Sequence, residues 1–223
     1  MEPSKPRLCL DARFLNLWMK DSPFSLDKLV DVTRYVYKDS YMTKCDDKSG
    51  YDHVLLRESS QTYVGLQWGR WWFVCTTLPF GWKLESPFIY YTIGLAASGY
   101  LRSRGVPCSL YIDDRLNGEV FTSSGSWSAP PSAPWDAFRF LPTQAAIFVV
   151  LSLLVRLGYT IGIAKSVLQP VRSFEFLGFV VDSTKQACLL PKRKIDSWSV
   201  LREQSLVHKK EVHIKTMQRF QGK

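Results

Sequence analysis

The sequence predicts an α+β fold, and three observations carry that prediction. Strand-like runs rich in Val, Trp, Phe, Thr and Tyr are interspersed with helix-like runs, without the regular alternation of βαβ units. The 223 residues suffice for one large domain, or for one domain and part of a second. Hydrophobic residues make up 46% and charged residues 22%, the balance of a globular chain and not of a disordered one.

Taken in order, Arg7-Leu8-Cys9-Leu10-Asp11 alternates as a short strand does, and residues 11–16 lead out of it. Ser25 to Val30 has the look of a capped helix start. Tyr41 to Cys45 is a β-leaning run that ends in Asp46-Asp47, and a short helix is expected after Gly50-Tyr51. Tyr63 to Thr77, with Gly69 near its middle, predicts a β-hairpin. Leu78 to Gly81 predicts a turn, and Pro87 to Tyr100 a helix. Residues 109–112 and 115–116 read as two strands around a tight turn at Asp113-Asp114. The Ser, Pro and Gly-rich stretch from Phe121 to Pro134 predicts a flexible surface loop. A helix over about Thr143 to Leu157 ends at Gly158. Phe174 to Val181 is strand-like, and Leu189 to Phe220 predicts amphipathic helix. No internal repeat is evident.

The net charge of +9 favours a polyanionic partner, either nucleic acid or an acidic membrane face. Residues 185–223 hold ten Lys or Arg against three Asp or Glu, +7 of that total. Such a run is either a solvated tail or a binding face. Aromatic residues reach 14%, with eight Trp, a surplus that also suits stacking on bases. The five cysteines are odd in number and scattered, with no CxxC pair, and the three histidines are His53, His208 and His213. This argues against a zinc site or a disulfide framework and for reduced thiols in an intracellular protein. No apolar run follows Met1, so no signal peptide is expected. The longest apolar stretch, Ala145 to Val155, is broken by Ser152 and falls far short of the ~20 residues that span a bilayer. It reads as a core helix.

Three acidic positions stand out. Asp46 ends one apolar strand, and Asp113 and Asp114 lie within an apolar strand-turn-strand. Carboxylates beside buried strands are costly unless paired or bound to a cation. No Lys or Arg is expected on the same strand face, although Arg115 is adjacent in sequence. Oxygen-only clusters of this kind suit Mg²⁺, and two such ions about 3.5–4 Å apart can activate an attacking oxygen and stabilise a leaving one. The alternative is a plain polar hairpin turn, where Asp is common. The dipeptide favours the turn, and with Asp46 added the two readings stand even.

Several blocks then occur in the order found in the reverse transcriptases of retroviruses and LTR-type retroelements, and the chain looks closest to the DIRS-like retrotransposons. Arg7-Leu8-Cys9-Leu10-Asp11-Ala12-Arg13-Phe14-Leu15-Asn16 resembles the fingers motif R-x-x-x-D-x-R-x-L-N. That likeness implies that Arg7 lies along the incoming triphosphate, where a guanidinium makes bidentate contacts. Asp46 to Tyr51 resembles the first palm motif D-x-x-S-G-Y. It makes Asp46, not Asp47, the metal ligand and places Tyr51 under the sugar, where its ring excludes a 2′-hydroxyl. Leu78 to Lys83 resembles the L-P-[FQ]-G block beside the nascent base pair, with Phe80 in the form seen in LTR retrotransposons. Gly81 there would let the backbone approach the substrate. Tyr111-Ile112-Asp113-Asp114 resembles the Y-x-D-D signature, with Asp113 the second ligand common to both metals and Asp114 supporting the site more loosely. Gly158 to Lys165 resembles the following block, whose Lys, here Lys165, is a candidate general acid for pyrophosphate. Phe176-Leu177-Gly178-Phe179 resembles the hairpin that grips the primer, and Thr216 to Lys223 the first part of the thumb. The last likeness turns the basic tail toward phosphate contact.

The resemblance implies a right-hand polymerase, with a palm of antiparallel sheet and packed helices, partial fingers and the start of a thumb. Residues 1–40 are then partial fingers, 41–184 palm with a fingers insertion and a flexible loop near 121–135, and 185–223 the primer-grip exit and partial thumb. The expected cofactor is two Mg²⁺ ions, with Mn²⁺ as substitute. Expected partners are an RNA or DNA template with its primer and a dNTP, with no membrane. Ribonuclease H and recombinase domains belong to full-length elements of this kind, so the sequence reads as a piece of a polyprotein or a degraded genomic copy. Two other functions compete. One is an inactive retroelement fragment or domesticated nucleic-acid-binding protein using the basic tail. The other is a palm-fold nucleotidyltransferase such as a cyclase, in which residues 7–16 and 176–179 would have no purpose.

Overall fold

The computed structural model describes residues 8, 10–20, 24–82, 85–120 and 135–203. In chain order the helices are α1 (Arg13–Trp18), α2 (Glu58–Gln61), α3 (Glu85–Ser103), α4 (Trp135–Arg156) and α5 (Lys192–Arg202). The strands are β1 (Met42–Asp46), β2 (Gly65–Trp68), β3 (Trp71–Val74), β4 (Cys108–Tyr111), β5 (Asp114–Asn117), β6 (Val167–Val171), β7 (Ser173–Phe176), β8 (Phe179–Asp182) and β9 (Ala187–Leu189). Short 3₁₀ turns fill Leu29–Arg34, Gly50–His53, Thr62–Val64 and Ile163–Lys165. Mixed helices and antiparallel strands make this an α+β fold, as the sequence predicts.

The central sheet has the order β4-β5-β1-β6 and is antiparallel throughout. Side chains alternate across it, so each strand serves two cores. One face packs Cys45 and Cys108 against Tyr90 and Leu101 of α3 and Ala146, Val150 and Leu154 of α4. The other face buries Met42 and Leu116 beneath Phe174, Phe176 and Val181, the apolar side of the β7-β8-β9 sheet. β2 and β3 form a separate two-stranded ribbon.

Four expectations shift. Residues 10–12 form no strand. Leu10 N–H makes one main-chain bond to the Phe80 carbonyl at 2.9 Å, and Asp11 is captured by Arg13 at 2.6 Å as α1 begins. Ser25 caps nothing; the turn starts at Leu29, with Lys28 N–H donating to Asp31 Oδ2 at 2.8 Å. Asp27 is drawn away instead, accepting from Leu110 N–H at 2.9 Å and from the Ser109 hydroxyl at 3.2 Å. α4 begins before Thr143 and runs through Pro142, which leaves one helical bond unmade. Residues 174–181 are a hairpin and not one strand, turning at Leu177 (φ +50°) and Gly178 (φ +76°), as type I′ requires. The predicted loop 121–134 and tail 204–223 lie outside the described residues.

Phe176, fully buried between the two sheets, anchors the β7-β8 hairpin. Phe176→Ala should cost about 3–5 kcal/mol in urea denaturation. A loss below about 1 kcal/mol would show that the hairpin is held elsewhere.

Candidate active site

The C-terminal end of β1 joins three segments distant in sequence. Asp46 N–H donates to Ser166 Oγ at 3.0 Å, and the Asp46 carbonyl accepts from Gly162 N–H at 2.7 Å. Asp47 N–H donates to the Asp113 carbonyl at 2.9 Å, and Lys48 N–H to the Thr160 carbonyl at 2.8 Å. The register places Asp46 opposite Asp114. The turn between β4 and β5 is Ile112-Asp113, one residue earlier than expected, and Asp114 is the first residue of β5. Ile112 holds φ +53° at the position that glycine favours in a II′ turn. A β-branched side chain there is strained, at a cost of about 1–3 kcal/mol.

Burial raises the pKa of Asp46 and Asp113 above the usual carboxylate value. For Asp46, Lys165 opposes the shift and Asp114 adds to it. For Asp113, the charges of Asp114 and Asp46 add to it, against Lys165. The three carboxylates thus repel one another. The expectation of no basic neighbour on the strand face is corrected, because Lys44 lies two residues before Asp46 and its Nζ is 3.3 Å from Asp114 Oδ1. That oxygen is buried and accepts no hydrogen bond. Among the described residues no three His, Cys, Asp or Glu side chains are drawn together as a ready metal cage. An oxygen-only set of mutually repelling carboxylates fits Mg²⁺, which takes one or two carboxylates and completes its shell with water and phosphate.

A cleft of about 920 Å³ gathers Asp46, Asp113, Lys165, Tyr51 and Phe80. The Tyr51 and Phe80 rings tilt against each other at 5.0 Å between centroids, and burial raises the Tyr51 hydroxyl pKa. Asp114, Gly81, Leu177 and Gly178 do not line this cleft. The close approach at Gly81 (φ +106°) is to Leu10: a Cβ there would overlap the Leu10 carbonyl. Leu177 lines a separate, open hollow with Tyr111 and residues 24–29. The Lys194 ammonium occupies the space that a Cβ on Gly178 would need. Arg7 lies outside the described residues.

Sequence reading missed the groups that brace the site. Gly162 is one, since a Cβ there would strike Asp46 Oδ2. Ser166, which caps the Asp46 N–H, is another. Asp47 is a third: it is buried, its Oδ2 accepts from the Tyr90 hydroxyl at 2.6 Å, and burial pushes its pKa up to about 6 against the Tyr90 bond and the Arg115 charge. Lys44 was legible from two-residue spacing alone. The others meet Asp46 and Asp47 only through the fold.

Known structures share this arrangement of chain. The foamy viral protease-reverse transcriptase bound to double-stranded DNA aligns over 100% of this chain and 40% of its own, with a TM-score of 0.73 at 18% identity. The dRH form with double-stranded DNA covers 100% and 33%, with a TM-score of 0.72 at 19% identity. The same enzyme with an RNA/DNA hybrid covers 98% and 26%, with a TM-score of 0.71 at 19% identity. The chain therefore has a reverse-transcriptase-like fold. It spans between about a quarter and two fifths of the length of those chains. No protein-family model matches it, and no curated protein matches it. Among the described residues no helix is long and apolar enough to cross a membrane.

His53 ties the two sides of the cleft, its Nε2 accepting from Thr160 N–H at 3.0 Å while its ring packs 5.1 Å from that of Tyr159. Burial lowers its pKa below 6.5, opposed by Asp52. The unfolded chain then binds the proton more readily, so stability is lost as pH falls from 6.5 through the folded value. Titration of the His53 ring by NMR should give a midpoint below 6.5, and His53→Gln should remove this part of the pH dependence. A midpoint above 6.5 would contradict the assignment.

Proposed function

We propose that the chain is the catalytic core of an RNA-directed DNA polymerase from a retrotransposon, of the LTR-type and DIRS-like kind. The observation that carries this reading is the junction at the end of β1, which sets Asp46 against Asp113 and Asp114 beside a cleft walled by Tyr51 and Phe80. In this reading residues 1–40 belong to the fingers, 41–184 to the palm, and 185–223 to the primer-grip exit and thumb.

Asp46, Asp113 and Asp114 would hold two Mg²⁺ ions, or Mn²⁺ in their place, and these would supply the charge that activates the primer 3′-hydroxyl and steadies the leaving pyrophosphate. The chain's own residues do the rest. Tyr51, backed by Phe80, supports the sugar of the incoming dNTP and excludes a 2′-hydroxyl. Phe80 also flanks the nascent base pair, and Gly81 keeps that segment seated on Leu10. Lys165 gives its proton to the pyrophosphate oxygen as the bond to the α-phosphorus breaks. Arg7 contacts the triphosphate, and the Leu177-Gly178 turn holds the primer strand. The basic residues after 185 meet duplex phosphates.

Primer extension on RNA and DNA templates with Mg²⁺ tests the reading. Asp113→Asn should lower the rate roughly a hundredfold or more, the scale of several kcal/mol of lost charge stabilisation. Extension that survives this change would sink the assignment. Gly162→Ala crowds Asp46 Oδ2 from a position with ordinary φ (−79°). It should slow extension about tenfold while leaving the unfolding midpoint nearly unmoved.

A further inference from the structure

Behind the carboxylates, on the helix side of the sheet, sits a buried cation with no part in the proposed reaction. Arg115 is 0% exposed and follows Asp114 directly in β5. Alternation turns it away from the carboxylate face, between its strand partners Cys45 and Leu110. Its Nη1 donates to the Ser98 hydroxyl of α3. Nε and Nη2 are buried and have no hydrogen-bond partner. On the same side, Asp47 Oδ1 is buried and equally unpartnered, while Oδ2 is held by Tyr90. Asp47 follows Cys45, the strand partner of Arg115, by two residues, so strand alternation sets the two charged side chains diagonally on one face of the sheet.

Asp46 and Asp47 are adjacent carboxylates at the rim of one cleft, and only Asp46 is the proposed ligand. We propose that Arg115 is a positioning residue that, with Tyr90, holds Asp47 on the helix side of the sheet so that, of this adjacent pair, only Asp46 joins Asp113 and Asp114 at the metal. The inference rests on the polymerase reading. Its mechanism is indirect: a retained Asp47 adds no competing oxygen to the site, and its fixed N–H anchors the Asp113 carbonyl. An isolated buried Arg is costly, and Asp47, two residues past its strand partner Cys45, is the acid placed on its face of the sheet.

Mn²⁺ binding, followed by the EPR signal of the free ion, reads this without requiring turnover. Arg115→Met should release Asp47 toward the cleft and tighten Mn²⁺ binding about threefold or more, because one more carboxylate reaches the ion. The same variant should slow primer extension about tenfold, because the added ligand misplaces it. The double variant Arg115→Met with Asp47→Leu removes both charges and should return Mn²⁺ affinity to that of the unaltered chain. Tyr90→Phe cuts the other tie on Asp47 and should tighten binding in the same direction by about twofold, which tests the idea even where Arg115→Met does not fold. Damage to the fold would weaken binding instead. Weaker or unchanged affinity in Arg115→Met, or in Tyr90→Phe where the former does not fold, overturns the proposal. So does tightening that persists in the double variant. Asp113→Asn run in parallel separates the two ideas: full extension there defeats the polymerase reading, whereas lost extension with unchanged Mn²⁺ affinity in Arg115→Met defeats this inference alone.

Discussion

The register between β1 and β5 sets Asp46 across from Asp114, and a slip of one residue would send Asp46 to the helix side and bring Asp47 to the front. Main-chain bonds on both flanks of β1 prevent that slip. Gly162 N–H and Ser166 Oγ hold Asp46 from one side, and the Asp113 carbonyl holds Asp47 from the other. Backbone bonds are suited to this task, since they fix position without depending on long side chains. The carboxylate face can therefore carry repelling charges without loosening the strands that bear them.

Charge is divided between the two faces of one thin sheet. In front, Lys44 pairs with Asp114, and Lys165 opposes the rise of Asp46 and Asp113. Behind, Arg115 and Asp47 lie among Tyr90, Cys45 and Cys108 in the helix-side core. Both buried thiols are pushed upward by burial, Cys45 to about 12, so they stay protonated and act as packing groups. Buried charges are a weak source of stability, and their better-attested use is to specify one arrangement over another.

Much of this was legible in the sequence because local patterning and the fold agree there. The β2-β3 ribbon follows from an aromatic run turning at Gly69, and β1, β4 and β5 from short runs beside acidic residues. The places where reading failed are those where a distant group recruits a local one. Asp27 would serve a helix start, yet Leu110 N–H and Tyr91 claim it, and the turn begins at Leu29. Leu8 and Leu10 alternate like a strand, but Leu10 finds a single partner in Phe80, and Asp11 closes on Arg13 instead. Of the site, Asp46, Asp113, Tyr51, Phe80 and Lys165 could be named from motifs, and they do share one cleft. Arg115 could not, because its meaning depends on Ser98 and Asp47, 17 and 68 positions away.

The sheet that carries the acidic turn is closed at its margins. Asp27 occupies the outward N–H of Leu110 on β4, and β6 at the opposite margin contains Pro170, which has no N–H to offer. Neither margin presents an uninterrupted ladder for another chain to extend. Growth of the sheet into a shared intermolecular ribbon is thereby discouraged at the strand adjoining Ile112-Asp113. Any association through this sheet then falls to side-chain surfaces, beside a cleft that Ile112 and Asp113 line.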